Sequence, residues 1–329
     1  MPSDVDIRMD LPNFEKGLPL IVRCTSQRTN LSEWVRGNRG FVDEKLGVHG
    51  ALLFRGFAVA AQGDFEAFVD AVAPKRLDYV YRSSPRSVVG ENIYTATEYP
   101  RQATIPLHCE NAYQRDWPTK LMFCCLEPAQ QGGETTLGNM LRITKRLGKE
   151  IVEEFAERKV MYVRNLGAGV DLPWETVFQT NRREDVEQYC RSHGIELEWK
   201  KDGGLRTRQV CQGVATHPCT KDLVWFNQAH LFHVSALDSK IRSAMLRLFK
   251  EEDLPRNSYY GDGSAIGEPV LERIRGAFVR ETVAYPWQAG DVMLVDNMLA
   301  AHGRSPFTGP RRVLVAMAEP FSTITTGAA

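Results

Sequence analysis

The sequence predicts a single α+β domain in which strands near both ends enclose a helical insertion. Strand signals dominate residues 92–137, helix formers dominate about 139–280, and strand signals return over 285–318. No internal repeat, linker or low-complexity tract interrupts the 329 residues, so the two strand groups are expected to meet in one core.

Bulk composition narrows the function classes. Lysine plus arginine (41) equals aspartate plus glutamate (41), so no net positive field points to nucleic acid or an anionic membrane. The N-terminal stretch has no basic segment followed by an apolar run, and no apolar run nears ~18 residues. A cytoplasmic protein without a membrane partner is expected. The cysteines agree: seven is an odd number and none makes a C-x-x-C pair, as suits reduced thiols. Adjacent Cys124 and Cys125 fall on opposite faces of an apolar strand, which reads as packing rather than redox sensing.

The elements follow in order. Asn30 to Leu46 is helical in pattern, with Ser32 as its cap and Gly47 as its stop. Gly50–Phe57 reads as a buried strand, and Asp64 opens a helix that aligns Phe65, Phe68, Val69 and Val72. This opening carries no catalytic cluster and is expected to flank the core. Ile93–Thr95, Ile105–Tyr113 and Lys120–Leu126 read as strands, and the paired glycines of Gln130-Gln-Gly-Gly-Glu134 suit a tight hairpin. Within the insertion, Leu141–Arg158 is helical with a break at Gly148, and Glu184–His193 stops at Gly194. Short strands occupy 195–226. Leu237–Phe249 aligns Ile241, Ala244, Met245 and Leu248 as an amphipathic helix. Leu254–Gly267 reads as an irregular, mobile loop whose Tyr259 and Tyr260 suit either a lid or an ordinary surface turn. After the helix Glu268–Phe278, Tyr285–Asp291 turns into the strand Val292–Asn297. Ala301–Arg304 and the strand Arg312–Met317 complete the chain's β section.

Ile105–Tyr113 carries the first chemistry. His108 and Glu110 lie two residues apart in a strand-like segment, so both face one way and Cys109 faces the other. Side by side, an imidazole and a carboxylate make half of a facial iron(II) site, which takes two histidines and one carboxylate. His302, beside Gly303, is the candidate second histidine, on a strand returning from the far end of the chain. Five other histidines compete. His49 and His193 read as structural or surface residues, and His217 precedes Pro218 and Cys219. His230 and His233 are three apart, a spacing that can also hold metal on a helix. An isolated His-x-Glu is common by chance.

The wider pattern is more specific. Gly132-Gly-Glu-Thr135 follows the His-x-Glu, Asp296-Asn297 precedes His302, and Gly309-Pro-Arg-Arg312 closes the series. In this order the motifs resemble the iron(II)- and 2-oxoglutarate-dependent oxygenases of the taurine dioxygenase and clavaminate synthase type. The resemblance runs from Gly50–Phe57 to the last strand. It is most similar to the syringomycin-biosynthesis branch, hydroxylases that act on amino acids tethered to a carrier protein.

That resemblance implies a double-stranded β-helix (jelly-roll) core. It implies that His108, Glu110 and His302 hold iron(II), with 2-oxoglutarate and O2 filling the open positions. Arg312, at the family position, would grip the far carboxylate of 2-oxoglutarate, and Thr135 would add a hydroxyl donor. A guanidinium fork suits that task, and strand alternation lets only one of Arg311 and Arg312 point inward. Halogenating relatives replace the carboxylate ligand with a small residue, so Glu110 implies hydroxylation or another non-halogenating oxidation. In the taurine branch an arginine four residues beyond the cosubstrate arginine holds an anionic substrate head. Ala316 stands there, which hints at a substrate carboxylate masked as a carrier thioester, unless Arg304 substitutes.

The expected activity is hydroxylation of an unactivated C–H in an amino-acid-derived substrate of nonribosomal peptide biosynthesis, with a peptidyl carrier protein as candidate partner. Two alternatives stay open. One is an oxygenase that hydroxylates, desaturates or epoxidises a free amino acid or small acid. The other is a non-catalytic β-barrel that binds metal or ligand.

Overall fold

The computed structural model describes residues 7–12, 15–26, 29–73, 81, 88–90, 93–95, 99–167 and 171–323. Asn92, where the first core strand signals begin, lies outside them. Two sheets face each other. The larger runs Ile7–Asp10, Leu20–Cys24, Ala51–Arg55, Val292–Asp296, Asp116–Glu127, Arg312–Ser322, Ile93–Thr95 and Val88–Gly90. The smaller runs Val283–Tyr285, Thr135–Asn139, Ala300–Arg304 and Ile105–His108. Among the described residues they lie as two layers that do not close into a barrel.

Period-two alternation decides what each layer buries. On Arg312–Ser322, Val313, Val315 and Met317 point between the sheets and join a cluster with Leu53, Phe123 and Met293. Leu314, Ala316 and Ala318 point the other way, into a cluster with Phe65, Phe68 and Val69 of the helix Gln62–Val72. The smaller sheet's outer face is covered by the insertion, where Leu107 and Ala301 share a cluster with Met140, Ile143 and Phe278. The two strand groups do meet. Val292–Asp296 lies between Ala51–Arg55 and Asp116–Glu127, and Arg312–Ser322 pairs along the other side of Asp116–Glu127.

Several local expectations need correcting. The N-terminal α/β section does not flank the core: Leu20–Cys24 and Ala51–Arg55 extend the main sheet as a parallel pair. Two helices, Leu31–Gly37 and Arg39–His49, cross between those strands. Their cap is Asn30, whose side chain accepts from Glu33 N–H, and their stop is Gly50 in the left-handed region, rather than Ser32 and Gly47. Gly132-Gly133 does not close a hairpin either. Asp116–Glu127 belongs to the large sheet and Thr135–Asn139 to the small one, so the glycines carry the chain across. Both have positive φ, and a Cβ on Gly132 would stand 2.1 Å from Pro306 O.

The insertion spans the expected region but is not simply helical. It holds a four-stranded antiparallel sheet ordered Glu196–Trp199, Leu205–Cys211, Val160–Leu166 and Arg256–Tyr260. The last strand replaces the expected mobile loop. Its polar side chains find partners: Arg256 pairs with Asp171, Asn257 Oδ1 accepts from Val234 N–H, and Ser258 Oγ donates to Ala229 O. Tyr260 is buried beneath the Arg158 guanidinium, so it forms no lid. The helix Ser239–Leu248 has the expected apolar pattern yet buries no residue, with Ile241 at 50% and Leu248 at 75% exposure.

Candidate active site

Strand pairing brings the distant histidines together. Ile105–His108 lies beside Ala300–Arg304 in a register that sets His108 directly opposite His302, with ring centroids 4.4 Å apart. Gly303 permits this approach, since a Cβ there would meet Ile105 O at 2.5 Å. Glu110 follows in a turn, just beyond the strand's end, and Cys109 is buried on the opposite side with Leu107. Glu110 Oε2 lies 3.6 Å from His302 Nε2 and 3.9 Å from His108 Nε2.

The donor set fits a divalent metal. One donor atom from each of the three residues lies within 4.8 Å of the others. Bonds of about 2.1 Å to one ion would put neighbouring donors roughly 3 Å apart, so small side-chain rotations close the set. His108 Nδ1 stands 2.9 Å from Pro106 O, where it must donate, which leaves the Nε2 lone pair for the site. Among the described residues, this is the one cluster of three such donors that could hold a metal.

A cavity opens beside His108 and His302, with Phe123, Val313 and Val315 as apolar walls and Thr135, Arg304 and Arg311 as polar ones. Thr135 Oγ1 accepts from Trp287 Nε1 at 3.2 Å, which leaves its own hydroxyl hydrogen to donate. Arg311 is braced by Nε donating to Gly133 O at 2.9 Å, with its guanidinium over the Phe307 ring. Burial, and then the charge of Arg304, pull Arg311 down to about 10, which still leaves it cationic at neutral pH.

Arg312, the expected cosubstrate arginine, does not line this cavity. Its side chain is exposed and shares the parity of Leu314 and Ala316, which face the helix-backed layer. Arg311, just ahead of the strand, lines the cavity together with Val313 and Val315. Both faces of this strand are buried beyond residue 312, so hydrophobicity alone carried no signal for which face is inward. The Ala316 argument falls with it, because Ala316 points away from the cavity. Val315 is the residue four beyond Arg311, and it lines the wall. Arg304, the alternative anchor, lies in the wall and donates to Tyr99 O, Pro100 O and Ala103 O at the head of the segment leading to His108.

The remaining histidines serve elsewhere. His217 Nε2 pairs with Asp296 Oδ2 at 3.0 Å, and His49 Nδ1 meets Gly17 O at 2.9 Å. His193 stacks on Tyr189, and His233 Nδ1 accepts from Ser235 N–H. His230 is buried against Phe278, and burial, then Arg275 and His108, push it down to about 3. Cys124 and Cys125 pack into opposite layers, each pushed up to about 12, chiefly by burial.

The profile of the family described as taurine catabolism dioxygenase TauD, TfdA matches residues 22–317. This chain belongs to the TauD/TfdA family. Like its family, this TauD/TfdA protein is a 2-oxoglutarate-dependent dioxygenase that uses iron(II). The dapdiamide synthesis protein DdaC of Enterobacter agglomerans is 41% identical over 279 residues, covering 85% of each chain. A clavaminate synthase-like protein of Arabidopsis thaliana is 31% identical over 296 residues, covering 87% of this chain and 86% of its own. Among solved structures, PvcB of Pseudomonas aeruginosa matches with TM-score 0.55 and 16% identity over 96% of this chain and 92% of that one. PvcB is described as an iron, α-ketoglutarate-dependent oxygenase from an isonitrile synthetic pathway. An asparagine oxygenase, solved with iron(II), 3-hydroxyasparagine and succinate, matches with TM-score 0.53 and 11% identity over 87% of this chain and 79% of that one. These two structures show a shared fold. No helix among the described residues is long and apolar enough to cross a membrane.

Proposed function

We propose that this dioxygenase hydroxylates an unactivated C–H of an amino-acid-derived substrate in a biosynthetic pathway, and that His108, Glu110 and His302 bind its iron(II). The observation that carries the reading is one cavity lined by His108 and His302 of the His-Glu-His donor set, with Thr135 and Arg311 as polar groups of its wall. When bound, iron(II) would supply the activation of O2, the oxidant for the C–H bond, with 2-oxoglutarate as the co-reductant that becomes succinate and CO2. The chain's residues do the rest. Arg311 and Thr135 grip the cosubstrate's distal carboxylate, the first with a charged fork and the second with a free hydroxyl hydrogen. Phe123, Val313 and Val315 keep water from the reacting centre. Glu110 occupies the position that a halogenating site would leave to chloride, which favours hydroxylation. The two facing sheets are read as the halves of a double-stranded β-helix within one 329-residue domain.

The biosynthetic setting draws on DdaC, a dapdiamide synthesis protein, and an amino-acid-derived substrate draws on the resemblance to the syringomycin branch. A carrier-tethered substrate is the finer part of the proposal. Its support is apolar Val315, where the taurine branch keeps a cation, and Arg304 in the same wall is the competing anchor for a free acid. The test has two parts. Anaerobic iron(II) plus 2-oxoglutarate should give a weak visible chelate band that His108→Ala abolishes; no band in the unsubstituted protein overturns the metal assignment. Mass spectrometry on amino acids, free and carrier-loaded, should then show a gain of one oxygen coupled to succinate. Equal or better turnover of the free forms removes the carrier.

A further inference from the structure

Glu110 differs from the two histidines in how its backbone is held. His108 and His302 sit in paired strands, whereas Glu110 falls in the turn after Ile105–His108, next to Asn111 with its positive φ of 56°. Strand pleating therefore does not set the direction of its carboxylate. A side chain does. Asn297 is fully buried; its Oδ1 accepts from Glu110 N–H at 2.7 Å, and its Nδ2 donates to Glu110 O at 2.9 Å and to Pro118 O at 2.8 Å. Both backbone polar groups of the carboxylate residue are thus held by one amide.

Asn297 is itself held on two sides. Its N–H donates to Thr119 O at 2.9 Å. The preceding Asp296 caps the turn, with Oδ1 accepting from Met298 N–H and Leu299 N–H, while Oδ2 takes the Nε2 proton of His217. That tautomer follows from the other nitrogen, since His217 Nδ1 accepts from Cys219 N–H and Thr220 N–H. The turn also leads directly into Ala300–Arg304, the strand that delivers His302. One turn therefore holds the backbone of one proposed ligand and launches the strand bearing another.

We infer that Asn297 is a positioning residue for the metal-binding carboxylate, with Asp296 bracing it within the same turn and His217 bracing Asp296 from the insertion. The inference rests on the proposed His108, Glu110 and His302 metal site. It goes beyond it by assigning the aim of Glu110 to a residue that touches neither metal nor substrate. Removing the amide leaves Glu110 N–H and O buried without these partners and frees the turn to rotate. Partners of metal ligands of this kind typically matter by 10–100-fold in metal affinity.

The test uses full-length Asn297→Ala and Asn297→Ser, each first shown to be folded by circular dichroism and by thermal melting without metal. Iron(II) is titrated anaerobically at saturating 2-oxoglutarate, and the chelate band is followed. Asn297→Ala should bind iron(II) at least tenfold more weakly, with a shifted band and less product formed per succinate. Asn297→Ser, which keeps one small hydrogen-bonding group, should fall between; it carries the test alone if the alanine variant does not fold. Folded variants that bind iron(II) within twofold of the unsubstituted protein, with the band unmoved, overturn the inference, even if they melt at lower temperature. Absence of the band in the unsubstituted protein would instead sink the metal assignment beneath it.

Discussion

Arg311 and Arg312 are one step apart on a pleat, and that step takes a guanidinium from the cavity wall to solvent. Only Arg311 has the brace that cosubstrate binding needs, from Gly133 O and the Phe307 ring. Hydrogen bonds to a charged group contribute ~1.5–3 kcal/mol, and ~1.4 kcal/mol is a factor of ten. Arg311→Met is therefore expected to raise the KM for 2-oxoglutarate by at least about tenfold, while Arg312→Met stays within about twofold. Succinate formation against 2-oxoglutarate concentration reads this directly; the opposite ranking would restore Arg312. Arg311→Lys should recover little, because an ammonium lacks both the fork and the Nε donor.

The insertion sheet is pinned by a buried charge cluster, and its dependence on pH follows from that. Arg256 of the strand Arg256–Tyr260 reaches Asp171 with two bonds of 2.7 and 2.9 Å, and Arg164 of Val160–Leu166 approaches the same carboxylate to 3.7 Å. Burial pushes the Asp171 carboxyl up, but hydrogen bonds and charge from Arg256, then the charge of Arg164, outweigh it and hold the group below the usual carboxylate range. A folded-state value below the unfolded one means stability that is present above the unfolded value and lost as pH falls through the folded one. Breaking a fully buried pair costs about 3–5 kcal/mol, and solvent at the half-buried Arg256 brings the cost here below that range. Asp171→Asn should therefore destabilise strongly at pH 7, and the gap to the unsubstituted protein should shrink towards pH 3. Denaturant unfolding at both values decides it; a gap that does not change with pH would show that the charge is not what matters.

At the scale of the whole molecule, the proposed metal and cosubstrate sites draw on strands from both strand groups of the chain. His108 comes from the first strand group and His302 from the last, and Thr135 and Arg311 are divided in the same way. Ligands that bind only when these strands are assembled should stabilise the entire core. At a hundred times its dissociation constant, a ligand adds about 2.7 kcal/mol, enough to raise the melting temperature by several degrees. Manganese(II) with N-oxalylglycine, a pair found together in a solved neighbour of this fold, provides a redox-silent probe. Its effect should be cooperative in the unsubstituted protein and vanish in His302→Ala. An undiminished rise in that variant would place the stabilising site elsewhere.

Much of the candidate site was legible in the sequence because chemistry there is written in residue types. His108, Glu110 and His302 could be picked out before any fold was known, and the order of the motifs identified their company. The strand groups and the helix facing Phe65 to Val72 were equally plain from periodicity. Other decisions depended on pairing partners that a single strand does not reveal. With both faces buried from Val313 to Ala318, the side turned to the cavity could be chosen only by the sheet packed against it. Gly132-Gly133 looks like a hairpin until the flanking strands prove to lie in different sheets. Asn297 belongs to a motif whose task stays open until tertiary contact puts its amide against Glu110. Sequence by itself singled out the His-Glu-His donor set; tertiary structure decided which of Arg311 and Arg312 shares its cavity, because direction is set by neighbours far away along the chain.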